Sequence, residues 1–206
     1  MKKHIFNTVI LLLALCSCKA QSPIVERDAS FDGKVQGTYF KDLNNEFNKF
    51  EGTWIFTNGN TTFTLVLEKK EMVYDGSEFY FDELFGEYRY IENGVEIVNT
   101  LPLLTQHPDN VNNRSVGGGH IIPTNLYVAC DDCPPNERRV KLYFFDSERK
   151  YLSISLVLRY LQDANHLGQE AQMTATLVSD GGSMLPEDDS PTAPRVPYGE
   201  YLMVKQ

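Results

Sequence analysis

Apolar and polar side chains alternate with a period of two along most of the chain after residue 53. The alternation is clearest over 151–160, where Leu152, Ile154, Leu156 and Leu158 occupy every second position. Such a period is typical of a strand that turns one face toward a core. An amphipathic helix would instead repeat its apolar positions every three to four residues. The sequence therefore predicts an all-β fold.

Short turns connect the predicted strands. Asn58-Gly59-Asn60 and Asn93-Gly94 are hairpin signals. A meander of about eight to ten strands with few helices closes most simply as an antiparallel barrel, which leaves no exposed edge. A two-sheet β-sandwich is the alternative. Strands are predicted at 53–57, 61–68, 79–91, 95–99, 126–130, 138–145, 151–160, 172–178 and 199–205.

Three segments depart from this pattern. Over 42–50, Leu43, Phe47 and Phe50 recur at helical spacing after Asp42, which predicts one short capped helix. The connections 101–122 and 180–197 are long, and long loops in compact domains are usually functional or mobile.

Charge excludes one class of partner. The 206 residues carry a formal net charge of −9, and nucleic acid binding needs a basic face. We therefore expect no nucleic acid partner. The composition is that of an ordinary globular protein, and we predict a single barrel domain over 41–206 after a tether and lead-in over 18–40.

The N-terminus has the features of an export signal. Lys2 and Lys3 precede an apolar run over 5–16 that is too short to span a bilayer as a helix. Leu15-Cys16-Ser17-Cys18 resembles a bacterial lipobox, which predicts a signal peptide over 1–17 and lipidation of Cys18. Ordinary cleavage after Ala20 is the alternative. We therefore expect a cell-envelope protein, anchored to a membrane through its N-terminal lipid or else secreted.

The first predicted strand resembles the entrance motif of the lipocalins. The segment Phe47 to Trp54 reads F-N-K-F-E-G-T-W, a short helix followed by G-x-W. This resemblance implies a barrel closed at one end by Gly52 and Trp54 as a structural plug. The T-D-Y motif of that family is absent, and Lys205 stands where an arginine would back the tryptophan.

The chain also resembles an uncharacterised family of small exported bacterial proteins. The resemblance rests on Cys18-Lys19-Ala20-Gln21, on the segment 48–54 and on the ending P-T-A-P-R-V-P-Y-G-E-Y over 191–201. It implies export and gives no function.

Cys130 and Cys133 form a C-x-x-C pair. In an exported protein a disulfide is the expected state. A zinc site needs two further ligands, and a redox dithiol of this spacing sits at a helix N-terminus. We therefore predict a disulfide and no metal or cofactor, with zinc and redox roles as alternatives.

Candidate catalytic groups are isolated in the sequence. His120 follows the glycine run over 117–119 without a nucleophile motif, and a solvated loop histidine is the simpler interpretation. The carboxylates Glu68, Asp82, Glu87 and Glu96 are interpreted as solvated sheet charge, and the acidic turn 187–189 as a solvated turn rather than a calcium site. We predict no catalytic residue.

Aromatic residues on the strands suggest a binding role. Tyr88 and Tyr90 would face one way and are candidates for the wall of an internal ligand cavity, although a filled interior is equally compatible with the sequence. The leading hypothesis is a non-enzymatic, lipid-anchored barrel that binds a small apolar or amphipathic ligand. A structural or interaction protein of the envelope is the alternative, and an envelope-polymer hydrolase is a third.

Overall fold

The computed structural model of the protein describes residues 22–106, 113–122, 128–161, 170–182 and 185–206. Helix is confined in these residues to a 3-10 turn at Asn48–Phe50 and a short helix α1 at Leu103–Gln106. The strands are β1 Ile24–Glu26, β2 Tyr39–Lys41, β3 Gly52–Asn58, β4 Thr61–Tyr74, β5 Tyr80–Glu92, β6 Val95–Asn99, β7 Val116–Ile122, β8 Arg139–Phe144, β9 Ile154–Leu161, β10 Gln172–Ser179 and β11 Gly199–Lys205.

Eight of these strands close into an antiparallel barrel in the order β3-β4-β5-β7-β8-β9-β10-β11. The last strand returns to the first through the pairs Val204↔Ile55 and Lys205↔Trp54. Strands β5 and β7 meet through Leu84↔Gly118 and two further pairs. The predicted antiparallel barrel is therefore confirmed, and the sandwich alternative is wrong.

The strand period explains which residues form the core. Phe63, Leu65 and Leu67 on β4 alternate with more exposed neighbours and are completely or almost completely buried. The predicted hairpin turns are also present, since Gly59 and Gly94 have φ of 58° and 82°. Glycine adopts this left-handed region without steric cost, which is why these turns carry it.

Both ends of the barrel are covered. The lower end, where β3 begins, is filled by Phe47, Phe50 and Trp54, all fully buried. The upper end, marked by the turn between β3 and β4, is covered by Leu152 and by Val196. Val196 belongs to a strap formed by residues 191–198, which reaches back to the loop after β8 through hydrogen bonds of Arg195.

A lobe extends below the barrel. In this lower lobe, β1 pairs in parallel with β2, and β2 pairs in parallel with the beginning of β5. The fully buried Asp82 accepts hydrogen bonds from the Tyr39 hydroxyl and from the backbone N–H of Asp42, the latter at 3.0 Å. This network fastens the N-terminal lead-in to the sheet.

Three predicted segments differ in the structure. The helix expected over 42–50 is wrong apart from one 3-10 turn, because the carboxylate of Asp42 accepts the N–H groups of Glu46 and Phe47 and holds a turn instead. The connection 101–122 contains α1 and all of β7. The strand expected over 126–130 is not formed at 128–130, and residues 126 and 127 lie outside the described residues.

Candidate functional site

The most complete candidate site is a groove on the outer wall of the barrel, beside β7. We call it the His120 groove. Its volume is about 300 Å³, which lies at the small end of the range for small-molecule sites. It is lined by Arg27, Phe31, Phe81, Glu83, Gly118, Gly119, His120, Lys141, Leu142 and Tyr143. All of these residues belong to the lower lobe or to strands β5, β7 and β8.

Two glycines form the floor of this groove. The register of β7 against β8 shifts between Gly118 and His120, which marks a β-bulge. Gly118 has φ of 114°, where a side chain would be strained, and a Cβ on Gly119 would lie 2.7 Å from the Phe47 ring. The fold therefore requires glycine at both positions: Gly119 makes room for the buried Phe47 ring inside the barrel, and Gly118 faces Tyr143 at the groove.

Three basic side chains line the groove. The guanidinium of Arg27 donates through Nε to the Asp82 carbonyl oxygen at 2.7 Å and lies 3.8 Å from a Glu83 oxygen. The Lys141 ammonium lies 3.4 Å from Asp180. His120 lies on β7, which pairs with β5 on one side and with β8 on the other. Each cation is thus held in place by an acidic or carbonyl group beside the groove.

Aromatic side chains form the walls. Phe31 and Tyr143 remain 57% and 61% exposed although both border the groove. Phe81 packs below them, and the Arg27 guanidinium lies 4.8 Å from the centre of its ring. Exposed aromatic faces next to fixed cations suit a ligand that has an apolar body and a negatively charged head.

The electrostatics of His120 report the positive potential of the groove. Burial lowers the pKa of His120, and the charges of Arg27 and Lys141 lower it further. The imidazole is therefore mostly neutral at pH 7.

The predicted plug residues meet at the lower end of the barrel. The Trp54 indole N–H donates to the Phe50 carbonyl oxygen at 2.7 Å. Lys205 covers the other side, with its ammonium 5.4 Å from the indole ring. Gly52 has φ of 111°, and a Cβ there would lie 3.1 Å from Lys205 Cε. Lys205 thus lies against the tryptophan where the lipocalin pattern has an arginine.

Tyr88 and Tyr90 face the interior, but they pack against other aromatic rings. Tyr88 lies 4.4 Å from Phe144 between ring centres, and Phe63 contacts both tyrosines at about 6 Å. A side chain that borders a cavity wide enough for water keeps accessible surface, whereas Trp54, Phe63 and Tyr88 keep none. In the part of the barrel that the structure describes, these positions are core rather than cavity wall.

The cysteines fall into two groups. Cys130 and Cys133 are joined in a disulfide with their Cα atoms 5.4 Å apart. Their sulfurs and a Glu137 oxygen lie within 4.8 Å of one another, but zinc binds cysteine as a thiolate, and the disulfide leaves no thiolate here. Cys18 lies outside the described residues.

Two of the acidic residues interpreted as solvated are in fact buried. Glu87 faces outward from β5, but Arg114 and Ser115 cover it, with the Arg114 guanidinium 3.7 Å from its carboxylate. Asp82 is buried in the lower lobe. The interpretation holds for Glu96, which pairs with Arg89 on the surface, and for the exposed turn 187–189.

A larger groove lies near the lower end, with a volume of about 1120 Å³. Its basic wall residues Arg138 and Arg159 pair with Glu46 at 2.6 Å and Glu137 at 2.9 Å, just as Arg27 and Lys141 of the His120 groove pair with acidic groups. Its rim borders residues 162–169, which lie outside the described part of the chain. The His120 groove, whose walls are all described, is therefore the better defined candidate.

Sequence reasoning singled out His120 but missed its neighbours. Arg27, Lys141 and Tyr143 lie far from it in the sequence, and only the β7–β8 pairing and the folded lead-in bring them together. The usable signal was the glycine run over 117–119, because glycine in a strand often marks a bulge or a close approach.

Comparison with known proteins identifies a family but no activity. The family model described as "Family of unknown function (DUF6705)" matches residues 1–206, so the chain belongs to this family. The comparisons with curated proteins and with solved structures gave no match. Among the described residues, no helix is both long and apolar enough to cross a membrane.

Proposed function

We propose that this protein is an exported, lipid-anchored component of the cell envelope that binds a small anionic amphipathic molecule in the His120 groove. The closed barrel serves as a rigid scaffold, and the activity is binding without chemistry. The observation that carries the proposal is one groove that combines exposed Phe31 and Tyr143 with the basic groups of Arg27, His120 and Lys141.

The packing of the barrel favours the groove over the lumen as the ligand site. Binding inside the barrel would require displacement of fully buried rings such as Phe63 and Tyr88. The close packing of such a core makes that displacement costly. The groove, in contrast, is already open on the outer wall of the barrel.

Ligand chemistry follows from the walls of the groove. Phe31 and Tyr143 offer apolar surface, and burial of such surface contributes about 25 cal/mol per Å². Hydrogen bonds from Arg27 and Lys141 to an anionic head are charge-assisted and stronger than neutral ones. A carboxylate, sulfonate or phosphate on a short apolar body meets both requirements.

Binding is tested with decanesulfonate by titration calorimetry, using residues 18–206 with Cys18→Ser so that no acyl chain competes. We expect Lys141→Gln to weaken binding by about tenfold, the effect of losing one charge-assisted hydrogen bond. Lys150→Gln is the matched control, since Lys150 is exposed on the loop after β8, away from the groove, and should leave affinity unchanged.

A probe with the opposite charge is the second control. Decyltrimethylammonium has the same chain and a cationic head, so it should bind at least tenfold more weakly by the same electrostatic argument. Equal affinity for the two probes, or equal affinity of native protein and Lys141→Gln, would contradict the proposed ligand class. Thermal unfolding of each variant checks that the barrel remains folded.

Export and anchoring are supported by Lys2 and Lys3, by the apolar run over 5–16 and by the position of Cys18. Several acyl chains on Cys18 would give stable membrane attachment, which a single chain does not. The test is the mass of the N-terminal peptide from protein produced in its own host. A peptide that begins at acylated Cys18 supports the anchor, and one that begins at Gln21 contradicts it.

A second candidate function is a structural or interaction protein of the envelope. The filled interior favours it, because a barrel without an open lumen still presents a rigid outer surface. Crosslinking in the native envelope followed by mass spectrometry should then recover one specific partner. If a deletion within the loop 180–197 leaves the recovery of this partner unchanged, the loop does not contribute to partner binding.

A further inference from the structure

Large apolar side chains are exposed together on the lower lobe. Ile24, Phe31 and Val35 are 55%, 57% and 58% exposed, and Met72 and Tyr74 on the same lobe are also exposed. All five lie in the lead-in to the barrel or at the lower end of β4. Single exposed apolar residues need no explanation. Phe31 packs on the sheet face of Phe40 and Phe81, whereas Ile24 is in register with Tyr39 on the opposite face. Phe31 and Val35, both in the loop 27–38 between β1 and β2, are therefore the candidates for one interaction surface.

The N-terminal tether joins the protein at this lobe. The Pro23 carbonyl oxygen accepts the backbone N–H of Tyr39 at 2.8 Å, so the chain is fixed to the lobe from that residue. The loop that carries Val35 lies beside it, since a Cβ on Gly37 would be 3.4 Å from Ser22 Oγ. Ser22 follows Cys18 by four positions, and such a segment spans at most about 14 Å.

The lower lobe is held in a fixed conformation by packed aromatic rings. The Phe31 ring packs on Phe40 at 5.0 Å and on Phe79 at 5.9 Å between ring centres. Phe40 is fully buried and stacks on Phe81 of β5. The exposed face of Phe31 is thus held outward by the rings beneath it.

We propose that the lower lobe rests on the membrane surface, with Phe31 and Val35 in the interfacial region of a zwitterionic bilayer. The inference rests on the proposed lipid anchor at Cys18, which places a membrane within reach of the lobe. Glu26, Asp28, Asp32, Asp75 and Glu78 on the same lobe disfavour an anionic surface. The contact is therefore apolar and insensitive to salt.

This orientation has a consequence for the His120 groove. Phe31 belongs both to the exposed apolar group and to the groove wall. A lobe seated on the bilayer through Phe31 places the groove next to the membrane surface. Amphipathic molecules that partition into the bilayer then reach the groove without crossing water.

The position of the lobe relative to the membrane is measured from tryptophan emission. The chain has one tryptophan, and Trp54 is fully buried, so it gives a constant background. Phe31→Trp adds an exposed indole to the lobe. Val95→Trp is the matched control, because Val95 is 62% exposed on β6 at the upper end of the barrel.

Acylated protein is bound to phosphatidylcholine vesicles with and without brominated chains. We expect the Phe31→Trp emission to shift to the blue and to be quenched by the brominated lipid, while Val95→Trp changes in neither respect. Bound protein with unchanged Phe31→Trp emission would overturn the inference while leaving the lipid anchor intact. Absence of the acyl mass on Cys18 would instead reject the anchor.

A second measurement uses protein that lacks the lipid anchor at Cys18. The Cys18→Ser form of residues 18–206 is tested for binding to the same vesicles in low and high salt. We expect weak, salt-independent binding that Phe31→Asp together with Val35→Asp reduces by about tenfold, whereas Val95→Asp leaves it unchanged. Equal binding of the lobe variant and the control would also overturn the inference.

Discussion

At the scale of single residues, His120 is the group whose charge state responds most directly to a ligand. Its pKa is held below the ordinary value by burial and by Arg27 and Lys141. An anion in the groove offsets these two charges, so the bound state favours the imidazolium more than the free state does. Ligand affinity and proton uptake by His120 are therefore linked.

We predict that decanesulfonate, which keeps its charge at every pH used, binds more tightly as the pH falls from 7 to 5. The affinity should rise by a few-fold to about tenfold in this window, as one linked proton allows. His120→Gln should flatten the dependence of affinity on pH, and Lys141→Gln should lower the affinity at every pH. Calorimetry at each pH provides the measurement, and an unchanged slope in His120→Gln would contradict the role.

Trp54 and Lys205 provide a second prediction at the residue scale. Their contact places an ammonium 5.4 Å from the indole ring, and cation–π contacts contribute about 0.5–2 kcal/mol. Lys205→Ala should lower the free energy of unfolding by about that amount, while Lys205→Arg should retain most of it. Urea unfolding followed by the emission of Trp54 gives both values, with Lys150→Ala as a surface control that should change little.

Residue burial was only partly predictable from the sequence. The alternation correctly placed Phe63 and Tyr88 inside and Glu87 outside the sheet, because the strand period fixes the face. It did not show that Glu87 is buried, since Arg114 and Ser115 come from a separate loop that covers that face. Alternation within a strand does not show whether residues distant in the sequence pack over its outer face.

At the scale of elements, the predictions succeeded where side chains define the strand and failed where they do not. Strand β4 follows its apolar period closely, whereas β9 forms where the period predicts a strand but is buried on both faces over its first five residues. Strand β7 has glycine at three of its seven positions, so it carries little pattern, and its pairing with β5 and β8 defines it instead. The helix over 42–50 failed for a related reason, because the Asp42 carboxylate stabilises a local turn.

The strap over 191–198 is held by a buried ion pair. Arg195 donates from Nε to Asp146 at 2.8 Å, and Asp146 also accepts the Arg195 backbone N–H. Although burial opposes ionisation, these hydrogen bonds hold the pKa of Asp146 below its ordinary range. The pair therefore stabilises the fold at neutral pH, and this contribution is lost as the pH falls from about 4 through the lowered pKa.

Removal of Arg195 should expose the dependence of the upper end on this pair. Arg195→Ala leaves a buried carboxylate without its cation, and such changes cost about 3–5 kcal/mol. Arg89→Ala is the control, because its partner Glu96 is on the surface and exposed pairs contribute at most about 1 kcal/mol. Urea unfolding at pH 7 compares the two losses, and equal losses would show that the strap is not fastened by Arg195.

At the scale of the whole molecule, closure and filling of the barrel separate this protein from carriers that hold ligands in their lumen. The aromatic residues that suggested a cavity wall form one continuous interior cluster, and both ends of the barrel are covered by side chains. The sequence predicted the barrel but not its filling, because the fit of side chains across opposite walls depends on the register and tilt of all eight strands. Tyr88 and Tyr90 therefore lie in a buried interior cluster, and the ligand site that we propose lies outside it.

The filled interior can be tested directly by opening it. Phe63 is fully buried and its ring lies 5.1 Å from Tyr201 between centres, so Phe63→Ala should remove about 3–5 kcal/mol of stability and leave an apolar cavity. Cavities of this kind stay dry and accept small apolar molecules such as benzene. Benzene should therefore raise the melting temperature of Phe63→Ala and leave that of the native protein unchanged. Equal stabilisation of the native protein and of Phe63→Ala by benzene would contradict the filled interior, because the substitution would then have created no new site that binds the folded state selectively.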